Sequence, residues 1–277
     1  MRTSVITLLL FLATSLYAND STHVAILGDS NTWLGGDQCD QPRGWNKWFN
    51  DYFAPASCRS YARSGATWTN TARTKRNPDE VKEVLSDDNV AYNQIVRLEQ
   101  AHQQGVQPTP DLIIISLGTN DAWFTKRRPG VFDTTAAEAF ATGDTLITSR
   151  HPSAVLSLAE SVRYGCEMLT CMFPEAQIIL LTPMQTTATS YENIRMAGDI
   201  IEECGNRMSI SVIRLDKESC VSRTHEMQTK RFTTDGTHTN EEGARRNGRF
   251  IANKVRSLLY VSSNKAKHRS YQSLLLK

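Results

Sequence analysis

Val24-Ala25-Ile26-Leu27-Gly28-Asp29-Ser30-Asn31 runs from four apolar residues straight into a glycine, a carboxylate and a hydroxyl. A short apolar run closed by a turn residue reads as a buried strand. Gly28 permits a sharp turn and a close backbone approach. Ser30 therefore falls at the strand's C-terminal end and at the start of the following helix. Its hydroxyl there meets free N–H groups and the positive end of a helix. A serine so placed is a candidate nucleophile, and it is equally well an N-cap.

Working outward, four more runs read as strands: Cys58 to Ala62, Leu112 to Leu117, Ile178 to Leu181 and Ser211 to Leu215. Leu112 to Leu117 and Ile178 to Leu181 lack polar alternation, as parallel strands covered by helices on both faces do. Helical patterns lie between the strands. Gly44 to Phe53 places Trp45, Trp48, Phe49 and Tyr52 on one face, and Ala91 to Gln104 is polar and helix-favouring. Pro152 to Met172 and Asn193 to Met208 carry apolar stripes, and a last helix runs from Glu241 to about Tyr260. Strand–helix alternation predicts an α/β fold with a parallel sheet. Arg73 to Pro110 and Asp121 to His151 exceed a minimal crossover. Both follow a strand's C-terminal end, where such sheets place ligands.

Three other strand ends or turns carry chemistry. Gly118-Thr119-Asn120-Asp121 follows the third strand. Asn120 can donate a side-chain N–H to a developing oxyanion, although Asn-Asp also closes ordinary turns. Arg63-Ser64-Gly65-Ala66-Thr67-Trp68 follows the second strand, and Gly65 can offer its backbone N–H unobstructed or serve only as a loop glycine. Thr234-Asp235-Gly236-Thr237-His238 precedes the last helix. Asp235, three residues before His238, can fix the imidazole tautomer, leaving the other nitrogen to take a serine proton. A capped helix start and half of a metal site are the competing readings. No second His–carboxylate group has metal-ligand spacing, which disfavours metal.

Together, Ser, Gly, Asn and Asp-x-x-His stand in that chain order, and the sequence resembles the SGNH hydrolases, also called the GDSL esterase/lipase family. Gly28-Asp29-Ser30 matches the first block and Gly65 the second-block glycine. Gly118 to Asp121 matches the third block, and Asp235 to His238 the last. The resemblance spans about Val24 to Tyr260. It implies a three-layer α/β/α sandwich with a five-stranded parallel sheet, flavodoxin-like in plan. It implies that Ser30 attacks an ester carbonyl, that His238 moves the proton and that Asp235 orients His238. It assigns the oxyanion hole to the backbone N–H groups of Ser30 and Gly65 and the side chain of Asn120. One departure is local: many members have an Asn before the second block's Ser-Gly stretch, where this chain has Tyr61-Ala62-Arg63.

The rest of the chain bounds context. Its 277 residues are 40% hydrophobic and 22% charged with net charge +2, which suits one large domain and supplies no basic field for nucleic acid. Residues 1–18 read as a secretory signal peptide: Arg2, an apolar run from Val5 to Ala13 too short to span a bilayer, and a small residue at Ala18. Secretion or a periplasmic location is therefore expected. The hydrolase domain is expected over 19–261 and a polar tail over 262–277, with no membrane span and no cofactor. The oligomeric state is open. Six cysteines in an exported chain permit disulfides, and Cys39–Cys58 and Cys204–Cys220 are the expected local bridges. Cys166 and Cys171 share a helix without facing each other.

Trp33, Trp68 and Trp123 each stand three residues after a proposed site residue. They are candidate substrate surfaces that could stack on a sugar ring or line an acyl pocket, or they are local core. The chain has no lid-like apolar helix, which disfavours a triglyceride lipase. The expected function is a short-acyl esterase, foremost a carbohydrate O-acetylesterase. Lysophospholipase, thioesterase and acyltransferase activities use the same parts. A carbohydrate-binding protein without catalysis would need a missing triad member, and none is missing.

Overall fold

Five strands form one sheet, all parallel, in the order β2-β1-β3-β4-β5. They are β1 (Asn19–Gly28), β2 (Pro55–Ser60), β3 (Leu112–Ser116), β4 (Gln177–Leu181) and β5 (Ser211–Ile213). This computed structural model describes residues 19–143 and 145–259. The expected signal peptide (1–18) and the expected tail (262–277) lie outside the described residues.

Helices connect the strands: α1 (Ser30–Trp33), α2 (Trp45–Phe53), α3 (Ala91–Gln103), α4 (Thr119–Trp123), α5 (Ala136–Ala139), α6 (Leu158–Met172), α7 (Tyr191–Arg207), α8 (Leu215–Glu218), α9 (Arg223–Thr229) and α10 (Glu241–Leu258). Successive strand side chains point to opposite faces. Ala25, Leu27, Ile113, Ile115 and Leu180 pack with Ile95 of α3, Val162 of α6 and Ile201 of α7. Val24, Ile26, Leu112, Ile114, Ile179 and Leu181 pack with Phe49 of α2 and Ile251 and Val255 of α10. Both faces are therefore dry, which is why the central strands read as unbroken apolar runs. Each fully buried Ile or Leu contributes about 1.5–3 kcal/mol.

The sequence places these elements well and their ends less well. β2 begins at Pro55, not Cys58, because its pairing partner β1 already meets it at His23–Ser57. The long helix expected from Pro152 starts at Leu158, where Ser157 and Glu160 form a capping box; Pro152–Ala154 is a separate single turn. β5 stops at Ile213 and the chain turns into α8 at Leu215.

The sheet order positions the site. The chain leaves β1 toward β2 on one side, then crosses back to β3 on the other. The loops after β1 and β3 diverge, and the crevice between them is where sheets of this plan bind ligands. Among the described residues no helix is long and apolar enough to cross a membrane.

Candidate active site

Ser30 stands at that crevice as the first residue of α1, and Asp29 caps the turn by accepting from Asn31 N–H at 3.1 Å. The helix is one turn long, so the groups it offers are individual N–H donors rather than a macrodipole. The end of β1 is held by Gln94 of α3. Its side-chain amide accepts from Gly28 N–H and donates to Gly28 C=O, both at 2.8 Å, taking the place of a neighbouring strand.

The segment before α10 brings the base. His238 Nε2 lies 2.9 Å from Ser30 Oγ, and its Nδ1 lies 2.6 Å from Asp235 Oδ2. Asp235 Oδ1 accepts from the backbone N–H of Thr237 and of His238, so the carboxylate also shapes the turn that carries the imidazole. Partial burial alone would raise the Asp235 pKa, but the His238 ring and these backbone donors outweigh it and hold the carboxyl below its ordinary value. Asn31 locks the segment in place: its Nδ2 donates to Thr237 C=O at 3.2 Å and its Oδ1 accepts from Thr239 N–H at 3.0 Å. The residue after the serine thus positions the residues either side of the histidine.

The three candidate oxyanion donors follow the C-terminal ends of β1, β2 and β3. Among the described residues the N–H groups of Ser30 and Gly65 have no protein acceptor. Gly65 has φ +76°, and a Cβ there would lie 2.5 Å from Val84, so the loop admits glycine alone in this form. Asn120 donates one Nδ2 hydrogen to Ala66 C=O at 2.9 Å, tying α4 to the Gly65 loop and leaving its second hydrogen without a protein acceptor among the described residues. Arg63, which stands in the departure noted in the sequence, bonds Asp37 at 2.8 Å and pairs with Glu80 at 3.2 Å. It braces the loop from outside the site.

The three tryptophans separate. Trp33 is 45% exposed and lines a cleft of about 680 Å³ with Gln38, Asp40, Gln41, Arg43 and Glu80. Trp68 is buried and meets Gly165 of α6, so it is core rather than a substrate surface. The cause is Asp121, which accepts from Trp68 N–H and Thr69 N–H and turns that segment inward. Trp123 is half-buried and stacks on Phe124 at 4.9 Å.

All six cysteines are thiols. Cys204 and Cys220 do not pair: Cys204 packs in the core cluster under α6 and α7, and Cys220 packs on the other face against α2 and α10, with the sheet between them. Cys39 and Cys58 do meet, Sγ to Sγ at 3.5 Å, as two buried thiols in contact rather than a bond. Among the described residues no group of three or more His, Cys, Asp or Glu could hold a metal ion.

A serine, an imidazole and a carboxylate in an unbroken relay at the mouth of a parallel sheet define the class of a serine hydrolase. The GDSL-like Lipase/Acylhydrolase family model matches residues 26–246, and the chain belongs to that family of ester-hydrolysing enzymes. No curated protein matches the chain in sequence. Solved structures share the fold: a possible lipase from Chitinophaga pinensis DSM 2588 (14% identity, 85% of this chain and 98% of that one, TM-score 0.55) is one. A carbohydrate acetylesterase family member from Sinorhizobium meliloti aligns at 16% identity over 85% and 98%, TM-score 0.51. A putative arylesterase from Agrobacterium tumefaciens str. C58 aligns at 16% over 86% and 100%, TM-score 0.51.

Proposed function

We propose that the protein is an exported carbohydrate O-acetylesterase acting through an acyl-enzyme on Ser30. The observation that carries the glycan reading is Trp33, an exposed indole one helical turn from Ser30, set in a cleft of amide, carboxylate and guanidinium side chains. A flat apolar face among polar groups suits a sugar ring, whose own faces are apolar and whose edges are hydroxyls.

Ser30 Oγ attacks the acyl carbonyl while His238 Nε2 removes its proton, and Asp235 stabilises the imidazolium. The N–H groups of Ser30 and Gly65 and the Asn120 amide receive the oxyanion. His238 then gives that proton to the departing sugar oxygen, which leaves as a hydroxyl, and water repeats the sequence to release acetate. Export rests on residues 1–18, and N-terminal sequencing of the secreted protein tests it.

Ser30→Ala is expected to lower kcat on acetylated xylo-oligosaccharides by roughly 10⁴–10⁶-fold, and a fluorophosphonate is expected to label wild type but not the variant. A chain-length series is expected to favour acetyl over long acyl groups. Preference for long acyl chains sinks the acetylesterase reading, and transfer of acetate to an added acceptor alcohol in place of water would make the enzyme an acyltransferase. A wild type that neither turns over esters nor takes the probe would leave a binding protein.

A further inference from the structure

A second cavity, of about 650 Å³, shares no lining residue with the Trp33 cleft. Arg73, Arg127 and Arg128 line it against a single carboxylate, Asp87, with Asn70 and Leu85 completing the wall. It adjoins the oxyanion loop through the chain: Val84, which packs on Gly65, is the neighbour of Leu85.

Its charges are unequally satisfied. Asp87 is taken up by Arg73 at 2.8 Å and by Thr71 Oγ1 at 2.7 Å. Asp121, the other carboxylate facing Arg128, accepts three hydrogen bonds from Trp68 and Thr69. Arg128 is only 7% exposed. Its Nη2 donates weakly to Leu85 and Ser86 carbonyls, while its Nη1 has no acceptor among the described residues. A buried guanidinium with an uncommitted nitrogen is costly unless something accepts from it. Arg127, exposed at the rim, adds a second cation.

We infer that this cavity is an anion subsite, holding a carboxylate or phosphate carried by the glycan whose acyl ester lies at Ser30. The planar fork of arginine donors matches both oxyanions, and one buried and one rim guanidinium provide for a charge-assisted contact. The glycan and its ester rest on the function proposed above; the anion preference does not.

The test uses Ser30→Ala full-length protein and isothermal titration with four probes: trigalacturonate, its neutral galactose counterpart, inorganic phosphate and free galacturonate. Trigalacturonate is expected to bind at least about tenfold more tightly than the neutral trisaccharide, and to lose that margin in high salt. Arg127→Gln, at an exposed position that leaves the buried contacts untouched, is expected to abolish the margin, and Arg128→Lys to reduce it. Competition by inorganic phosphate at lower concentration than free galacturonate assigns the site to phosphate; the reverse assigns it to a sugar acid. Equal binding of charged and neutral sugars, or a margin unaffected by Arg127→Gln, overturns the inference. An anion margin in a protein whose wild type leaves acetylated glycans intact refutes the proposed function and keeps the subsite. Glycan deacetylation with no anion margin does the opposite.

Discussion

Asp29, one residue before Ser30, is 2% exposed. Burial pushes its carboxyl from an ordinary value of 3.8 up to about 6, against the opposing pull of Thr119, Asn31 and His238. A carboxyl whose folded pKa is raised binds its proton more tightly in the folded state. Its charged form is therefore a cost that is absent below about pH 4 and grows as pH rises from there to about 6, approaching roughly 3 kcal/mol. Asparagine keeps the cap and removes the charge. Asp29→Asn is expected to be more stable than wild type at pH 8, with the gap closing below pH 4; urea titrations at both pH values check it. At this scale, Ser30, Asp235 and His238 were legible because each is punctuation at a strand end or turn. Asn31 and Gln94 were not, because their partners lie 206 and 66 positions away and nothing local marks them. Trp33 and Trp68 share an offset of three from a site residue, yet one faces solvent and the other the core. An offset does not say which way a turn folds, and here a buried carboxylate decides it.

Among elements, apolar runs placed the five strands and apolar faces placed α2, α6 and α7, since burial leaves that pattern whatever the connections do, while α3 was read from helix-favouring polar residues. Ends were blurred where a neighbour rather than the local sequence sets them, as β1 does for β2. The loop between α1 and α2 carries a separate consequence. Cys39 and Cys58 hold that loop against β2 as touching thiols, 19 positions apart. We propose that mild oxidation joins them, two thiols losing two protons and two electrons to an added oxidant such as diamide. Closing a loop of that size contributes about 3 kcal/mol in the chain-entropy account. A rise in Tm with loss of 2 Da by mass spectrometry, both absent in Cys58→Ser, is the expected result. An unchanged mass in diamide would show the two thiols too constrained to approach.

For the whole molecule, the site exists only where the segments carrying Ser30 and His238 are docked. Gly248 of α10 lies so close to α2 that a Cβ would meet Trp45 C=O at 2.4 Å, and this contact brings the His238 segment over β1. The Asn31 bonds then fasten it. Loss of activity in urea should coincide with loss of tertiary fluorescence in wild type. In Asn31→Ala it is expected to come first, because the segment then frees itself while α10 stays packed. Coincident curves in the variant would show that helix packing alone holds the base.

The relay joins residues 208 positions apart. During synthesis Ser30 emerges 208 positions ahead of His238, so over that interval the nascent chain carries a serine without its base. Contacts of such long sequence separation form late in folding as well. The ester-cleaving chemistry therefore switches on only when the His238 segment has closed onto Ser30, which makes closure of the fold itself the activation step.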